Sequence, residues 1–167
     1  MRKPTLFLSF GGGQDSAANF EILRGEPRYA ELMKTHDLVV IMADTGDEHD
    51  HTYDYVKRFA AKCESLAIEF YFLTSDLGFH TASWLSLQQY HDRQMEDGGA
   101  HTINMLNSGS CTDHLKLVPI YKFVDEYLNK KYGYGLRKDK GGGCRKKAIE
   151  AYAKEFGDLK VVIGFAA

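Results

Sequence analysis

The chain has 167 residues, 44% of them hydrophobic and 26% charged, enough for one globular domain with a sizeable core. Its formal net charge of −2 provides no whole-molecule field favouring nucleic acid or a membrane surface. No apolar run approaches the roughly 18 residues of a membrane span, and Cys63, Cys111 and Cys144 are too few and too scattered for a disulfide framework, a zinc knuckle or a complete iron–sulfur ligand set.

The start, "MRKPTLFLSF", has neither the apolar length nor the cleavage pattern of a signal peptide, so a cytoplasmic protein is expected. Residues 5–10 are apolar and β-prone and stop at a glycine triplet, the pattern of a buried strand. Residues 15–24 read as a helix capped by Asp15 or Ser16, with Gly25 and Pro27 as its stop. Residues 37–46 read as a second buried strand ending in a turn. In "HDHTYDYVKRFAAKCESLA", Tyr55, Phe59 and Cys63 fall four apart beside Val56 and Ala60, which is helical spacing. Residues 68–74 form a third predicted strand. A polar, helix-leaning stretch over 80–96 ends at Gly98 and Gly99. A helix is predicted after Pro119, with Ile120, Phe123, Val124 and Tyr127 on one face and Gly133 as its stop. The basic loop "RKDKGGG", a helix over 145–156 and a last strand in "DLKVVIGFA" complete the chain.

This alternation predicts an α/β fold, a Rossmann-like doubly wound parallel sheet with helices on both faces, as a single domain over 1–167. Ligands of such sheets lie at the carboxyl ends of the strands. Those ends are residues 9–16, 44–48, 74–77 and 164–167, so the triplet Gly11, Gly12 and Gly13 sits where a ligand is expected. A glycine in regular structure costs roughly 0.5–1 kcal/mol relative to alanine. Hydrogen bonds from a glycine loop and a helix N-terminus to phosphate, at about 1.5–3 kcal/mol each, would offset that cost. The alternative is a tight strand-to-helix turn. A Walker A loop is excluded, because no lysine lies between Lys3 and Lys34. A dinucleotide fingerprint fits poorly, because Ser16 stands where its third glycine belongs.

The segment "GGGQDS" resembles the pyrophosphate-binding loop SGGxDS of the PP-loop ATP pyrophosphatases, the adenine nucleotide alpha-hydrolase-like proteins. Three further segments resemble the branch of 3′-phosphoadenosine 5′-phosphosulfate (PAPS) reductases: "SFGGGQDS", "ADTGDEHDHTYDYVKRF" and "SCTDHLKLVPIYKFV". The resemblance implies an adenine-nucleotide enzyme that cleaves ATP, or handles PAPS, with Mg²⁺. It implies nucleotide binding by Ser9, Phe10, Gly11, Gly12, Gly13, Gln14, Asp15, Ser16, Asp44, Thr45, Gly46 and Gly164, and catalytic roles for Asp15, Lys116 and Cys111. Three departures stand out. Gly11 replaces the loop's serine. The paired cysteine of the relatives is reduced to Cys111-Thr112, which disfavours an Fe–S cluster. The chain stops at "VVIGFAA", where relatives continue into an Asp-Glu and Arg segment, so either a C-terminal segment is missing or this version has shed the chemistry.

The remaining candidates keep two readings each. Asp44 and Asp47 are either ligands of Mg²⁺, which prefers carboxylate oxygens, or acids of a solvated helix start. His49 and His51 are expected to point apart on their helix and so to form no transition-metal site. Cys111 is either a thiol nucleophile, activated by His114, Lys116 or a helix N-terminus, or a small half-buried residue. Residues 130–147 hold eight of the 21 Lys and Arg with one acid, Asp139. That run is a solvated loop, a cover over phosphates or a surface for a nucleic acid such as tRNA. The expected reaction attacks the α-phosphate of ATP to form an adenylate, with Lys116 and the loop 137–147 as anion partners. The acceptor is unassigned; tRNA, a protein partner, a homodimer and a non-catalytic nucleotide sensor all remain open.

Overall fold

The structure, a computed structural model, describes residues 2–96, 112–140 and 143–164. Cys111, the break at Gly98 and Gly99, and two residues of the second glycine triplet, Gly141 and Gly142, lie outside the described residues. Strands β1 (Thr5–Ser9), β2 (Asp37–Ala43), β3 (Glu69–Leu73) and β4 (Lys160–Ile163) form one parallel sheet in the order β3-β2-β1-β4. Thr5 pairs with Asp37 and Ser9 with Ile41, while Ser9 pairs with Ile163 on the other side. Leu6, Leu8, Val40 and Met42 belong to one core cluster, yet Phe7, Val39 and Ile41 are equally buried. Burial on both faces is why these strands read as unbroken apolar runs rather than alternating ones.

The chain forms two compact units: Met1–Met42, His49–Phe72 and Ala153–Ala167 make the first, and Ala43–Glu48 and Leu73–Tyr152 the second. In the first, α1 (Gln14–Gly25) contributes Phe20 and Leu23, and α3 (Asp50–Ser65) contributes Val56, Phe59 and Cys63, to the cluster under β1 and β2. Phe59 stacks on Phe10 with ring centroids 4.0 Å apart. A short helix that the sequence reading missed, α2 (Ala30–Thr35), follows a 3-10 turn at Pro27–Tyr29. Pro27 reads as a stop but stands at the start of that turn, where its missing N–H costs nothing.

The second unit is built on α4 (Leu87–Glu96) and α5 (Val118–Tyr132), with Phe79 meeting Phe123 edge to face at 5.5 Å. The helix expected over 80–96 begins only at Leu87. Before it, Leu87 N–H donates to the Thr45 carbonyl, Leu85 N–H to Gln89, and Arg93 to the Ser83 carbonyl, which replace a helical ladder. The helix expected after Pro119 instead starts earlier, in a π-helical turn at Asp113–Leu117. That wider turn lies just upstream of a residue with no N–H to give. The last helix, α6 (Lys147–Phe156), starts two residues later than expected, because Arg145 and Lys146 adopt left-handed backbones with φ of 54° and 65°.

Candidate functional site

β1 lies between β2 and β4, so the order of connections reverses across the β1/β4 pair. At such a reversal the loops leaving the two strands flank an open crevice. Phe10 N–H still donates to the Ile41 carbonyl at 2.8 Å, and the chain then leaves the sheet as Gly11, Gly12 and Gly13. Gly13 is the N-cap of α1, in place of the expected Asp15 or Ser16, and makes no side-chain cap. Ser16 is turned inward instead, only 5% exposed: its hydroxyl accepts from Gly11 N–H at 3.2 Å and donates to the Gly13 carbonyl at 2.9 Å. Its hydroxyl hydrogen therefore organises the loop rather than facing a ligand. The first helical hydrogen bond runs from Ala17 N–H to the Gly13 carbonyl, so the N–H groups of Gln14, Asp15 and Ser16 have no intrahelical acceptor. They carry the positive end of the α1 dipole.

The three glycines differ. Gly12 has φ of +73°, and a Cβ on it would meet Thr52 Cγ2 at 3.0 Å and Met42 Cε at 3.3 Å, so the fold itself requires glycine there. A Cβ on Gly11 or Gly13 would meet nothing within 4 Å, and neither has a positive φ. Gly164, directly after β4, is packed on the same helix start: its Cβ would lie 3.0 Å from Ser16 N and 3.1 Å from Asp15 C. Ser9, Gly11, Gly12, Gly13, Gln14, Asp15, Ser16 and Gly164 thus gather at the carboxyl ends of β1 and β4. Phe10 is the exception, with its ring 2% exposed inside the core and its N–H engaged; its carbonyl is what it can offer.

His49 is the N-cap of α3, with its extended backbone outside the helix. Its ring therefore does not diverge from that of His51, as helical positions would: the rings stack at 5.0 Å, and His51 N–H donates to His49 Nδ1.

In the second unit, Asp44 closes its own turn by accepting Gly46 N–H at 3.0 Å, and Asp47 accepts Gln88 N–H at 2.7 Å in the first turn of α4. Gly46, with φ of +78°, would place a Cβ 2.5 Å from Ser86. Thr45 donates to Glu48 at 3.0 Å, and Lys116, in the π-helical turn, lies 3.8 Å from the same carboxylate. Thr45 and Lys116 thus meet on Glu48, while Asp44 and Asp47 each hold a backbone N–H; no group of three or more His, Cys, Asp or Glu suited to a metal occurs among the described residues. Sequence reasoning missed His80, which is 5% exposed, has Nε2 at 2.9 Å from the Asp44 carbonyl, and keeps Nδ1 buried without a hydrogen bond. A lone histidine after a turn gave no signal of this.

Comparison with known families matches residues 5–162 to the phosphoadenosine phosphosulfate reductase domain. No curated protein matches the chain.

Proposed function

Because the chain belongs to the phosphoadenosine phosphosulfate reductase domain family, we propose that it is an adenine-nucleotide enzyme of the PP-loop type, cleaving ATP to AMP and pyrophosphate to adenylate an acceptor. The observation that carries the reading is the openness of Gly11 and Gly13. Neither packing nor backbone conformation demands glycine at either position, so the missing side chains leave room for something that approaches the backbone. The N–H groups at the start of α1 that lack an intrahelical acceptor would receive the pyrophosphate oxygens, and Ser9 and Gly164 would flank them. Donors already in place stabilise developing charge without reorganising during the reaction. Asp15 would orient the loop, and Asp44, Thr45 and Gly46 remain the candidates for the adenosine.

Mg²⁺ carried on phosphates needs one or two protein carboxylates, and Asp44 and Asp47 would supply them; the ion would neutralise charge on the leaving pyrophosphate. Lys116 remains the candidate anion partner, and Cys111 the candidate nucleophile. A second reading, transfer chemistry on PAPS itself with a partner chain, is favoured by the family match.

Calorimetric titration with Mg-ATP and with PAPS, followed by analysis of the ATP cell for AMP and pyrophosphate, separates the readings. Binding with AMP formation supports ATP cleavage; tighter binding of PAPS supports the second reading; binding of either without turnover supports a sensor. The loop is tested by Gly11→Val, whose Cβ would meet nothing within 4 Å in the fold. ATP affinity is expected to fall at least tenfold with the melting temperature unchanged, and unchanged affinity removes the loop from the site. Gly12→Val is the poorer probe, because it strains the backbone as well.

A further inference from the structure

Helix α3 buries Val56, Phe59 and Cys63 in the core and turns another face to solvent. On that face Lys57, Ala61 and Glu64 are exposed and Ala60 is half-buried, at the three- and four-residue spacing that aligns side chains along a helix. These four residues line an open groove of about 560 Å³ together with Ile68, which leads into β3, and Phe70 within it. Ile68 and Phe70 pack on the core cluster yet are only partly buried. β3 is the end strand of the sheet among the described residues, a position that folds commonly keep covered.

The charges on this face are complementary to themselves. Lys57 stands three residues before Ala60, and Glu64 three residues after Ala61. A two-fold axis passing between Ala60 and Ala61 lays a second α3 antiparallel on the first. Ala60 of each copy then faces Ala61 of the other, and Lys57 of each faces Glu64 of the other. A parallel pair would instead set lysine on lysine and glutamate on glutamate, so the charges select one orientation. Lys57 meets Asp54 at 3.2 Å in a pair exposed on both sides, which competes weakly because water and salt screen it. Glu64 has no cation partner among the described residues.

Packed helices lie about 8–10 Å apart according to the side chains at the contact. Two alanines at the crossing allow the near end of that range. There the stems of Lys57 and Glu64 close over the seam, and Ile68 and Phe70 lose their remaining contact with water. The 16 residues of α3 make a helix about 24 Å long, which places the contact at the small end of specific interfaces and its strength in the micromolar range.

We propose that the outer face of α3 is an interface between two copies of this chain, an antiparallel helix pair crossing at Ala60 and Ala61 with Lys57 of each copy on Glu64 of the other. It lies wholly within the first unit and does not rest on the nucleotide reading of the glycine loop.

The test is analytical ultracentrifugation of the full chain from about 2 to about 200 µM, a range that brackets micromolar association. The wild type is expected to pass from monomer to dimer across that range. Lys57→Glu and Glu64→Lys are each expected to weaken association at least tenfold. Mixing the two variants, or combining both substitutions in one chain, puts opposite signs together again and is expected to restore it. Circular dichroism checks that these exposed changes leave the fold intact. Should either not fold, Ala61→Gln keeps the charges but widens the crossing, and is expected to weaken association at least tenfold. A monomer at every concentration overturns the interface and leaves the face to a partner of another kind. A dimer that the single reversals leave unchanged, or that mixing does not restore, places the contact elsewhere and overturns it equally.

Discussion

Gly164 and Ser16 approach so closely that a Cβ on Gly164 would stand 3.0 Å from the Ser16 nitrogen. The strand that closes one side of the sheet and the helix that follows the glycine loop therefore share one contact, made of backbone atoms that cannot move aside cheaply. Gly164→Ala is expected to lower stability by about 1–3 kcal/mol, the usual range for forced overpacking. It should also weaken ATP binding at least tenfold, because the donors of α1 shift with their backbone. Thermal melting and calorimetry read the two effects; a lower melting temperature with unchanged affinity would make Gly164 a packing residue only.

Asp125 is a buried carboxylate whose acceptors serve four backbone N–H groups at the start of α6. Asp125→Asn keeps one acceptor oxygen but turns an amide donor toward backbone donors. The loss is expected at roughly 2–4 kcal/mol, from the charge-assisted bonds removed and the buried donors left over. Urea unfolding measures it, and a change under about 1 kcal/mol would show that these bonds contribute little net stability.

Glu126 predicts a pH dependence. Burial pushes its carboxyl up, but hydrogen bonds and charge from Lys130 and Lys138 outweigh that and hold it below the ordinary value. The unfolded chain therefore takes up this proton first, so the contribution is full above the ordinary glutamate value of about 4.3 and is lost as pH falls below it. The stability difference between the wild type and Glu126→Gln should be constant from pH 6 to 8 and shrink below about pH 4.3. A difference that stays constant down to pH 3 would contradict the ion pairs.

Cys63 and Cys144 are both buried, and burial raises both thiols, that of Cys63 to about 11. Iodoacetamide at pH 8 should leave both unmodified in the native protein and alkylate both in urea, as peptide mass mapping would show. The unfolded Cys63 thiol titrates near its ordinary value of 9.0, so its contribution to stability falls as pH rises past that point. Rapid native labelling of Cys63 would contradict its place under the sheet.

Much of the fold is legible in the residue order. All four strands stand where expected, shortened by one to several residues, and α3 follows the spacing of Val56, Phe59 and Cys63. Gly133 ends α5 in a left-handed cap, as its position implied. The glycine loop was legible because each cost it carries is local. What escaped the residue order depends on partners far along the chain: nothing beside Asp125 in the sequence marks it, because its donors lie 19 to 24 residues away. Ser16 reads as a cap or phosphate donor until the turn of the loop brings its hydroxyl hydrogen onto the Gly13 carbonyl.

The sequence by itself determined that β1 and β2 are buried strands and that β1 ends in a glycine loop leading into a helix, because apolar runs and turn residues act over neighbouring positions. It also carried the family, through short segments in a set order. Only the tertiary structure decided which glycines the fold requires and which stand open, that Gly164 meets the start of α1, and that a basic run is held in one shape by a buried aspartate. Those depend on which atoms the folded chain brings within a few ångströms of one another, and residues distant in sequence have no local pattern that encodes it.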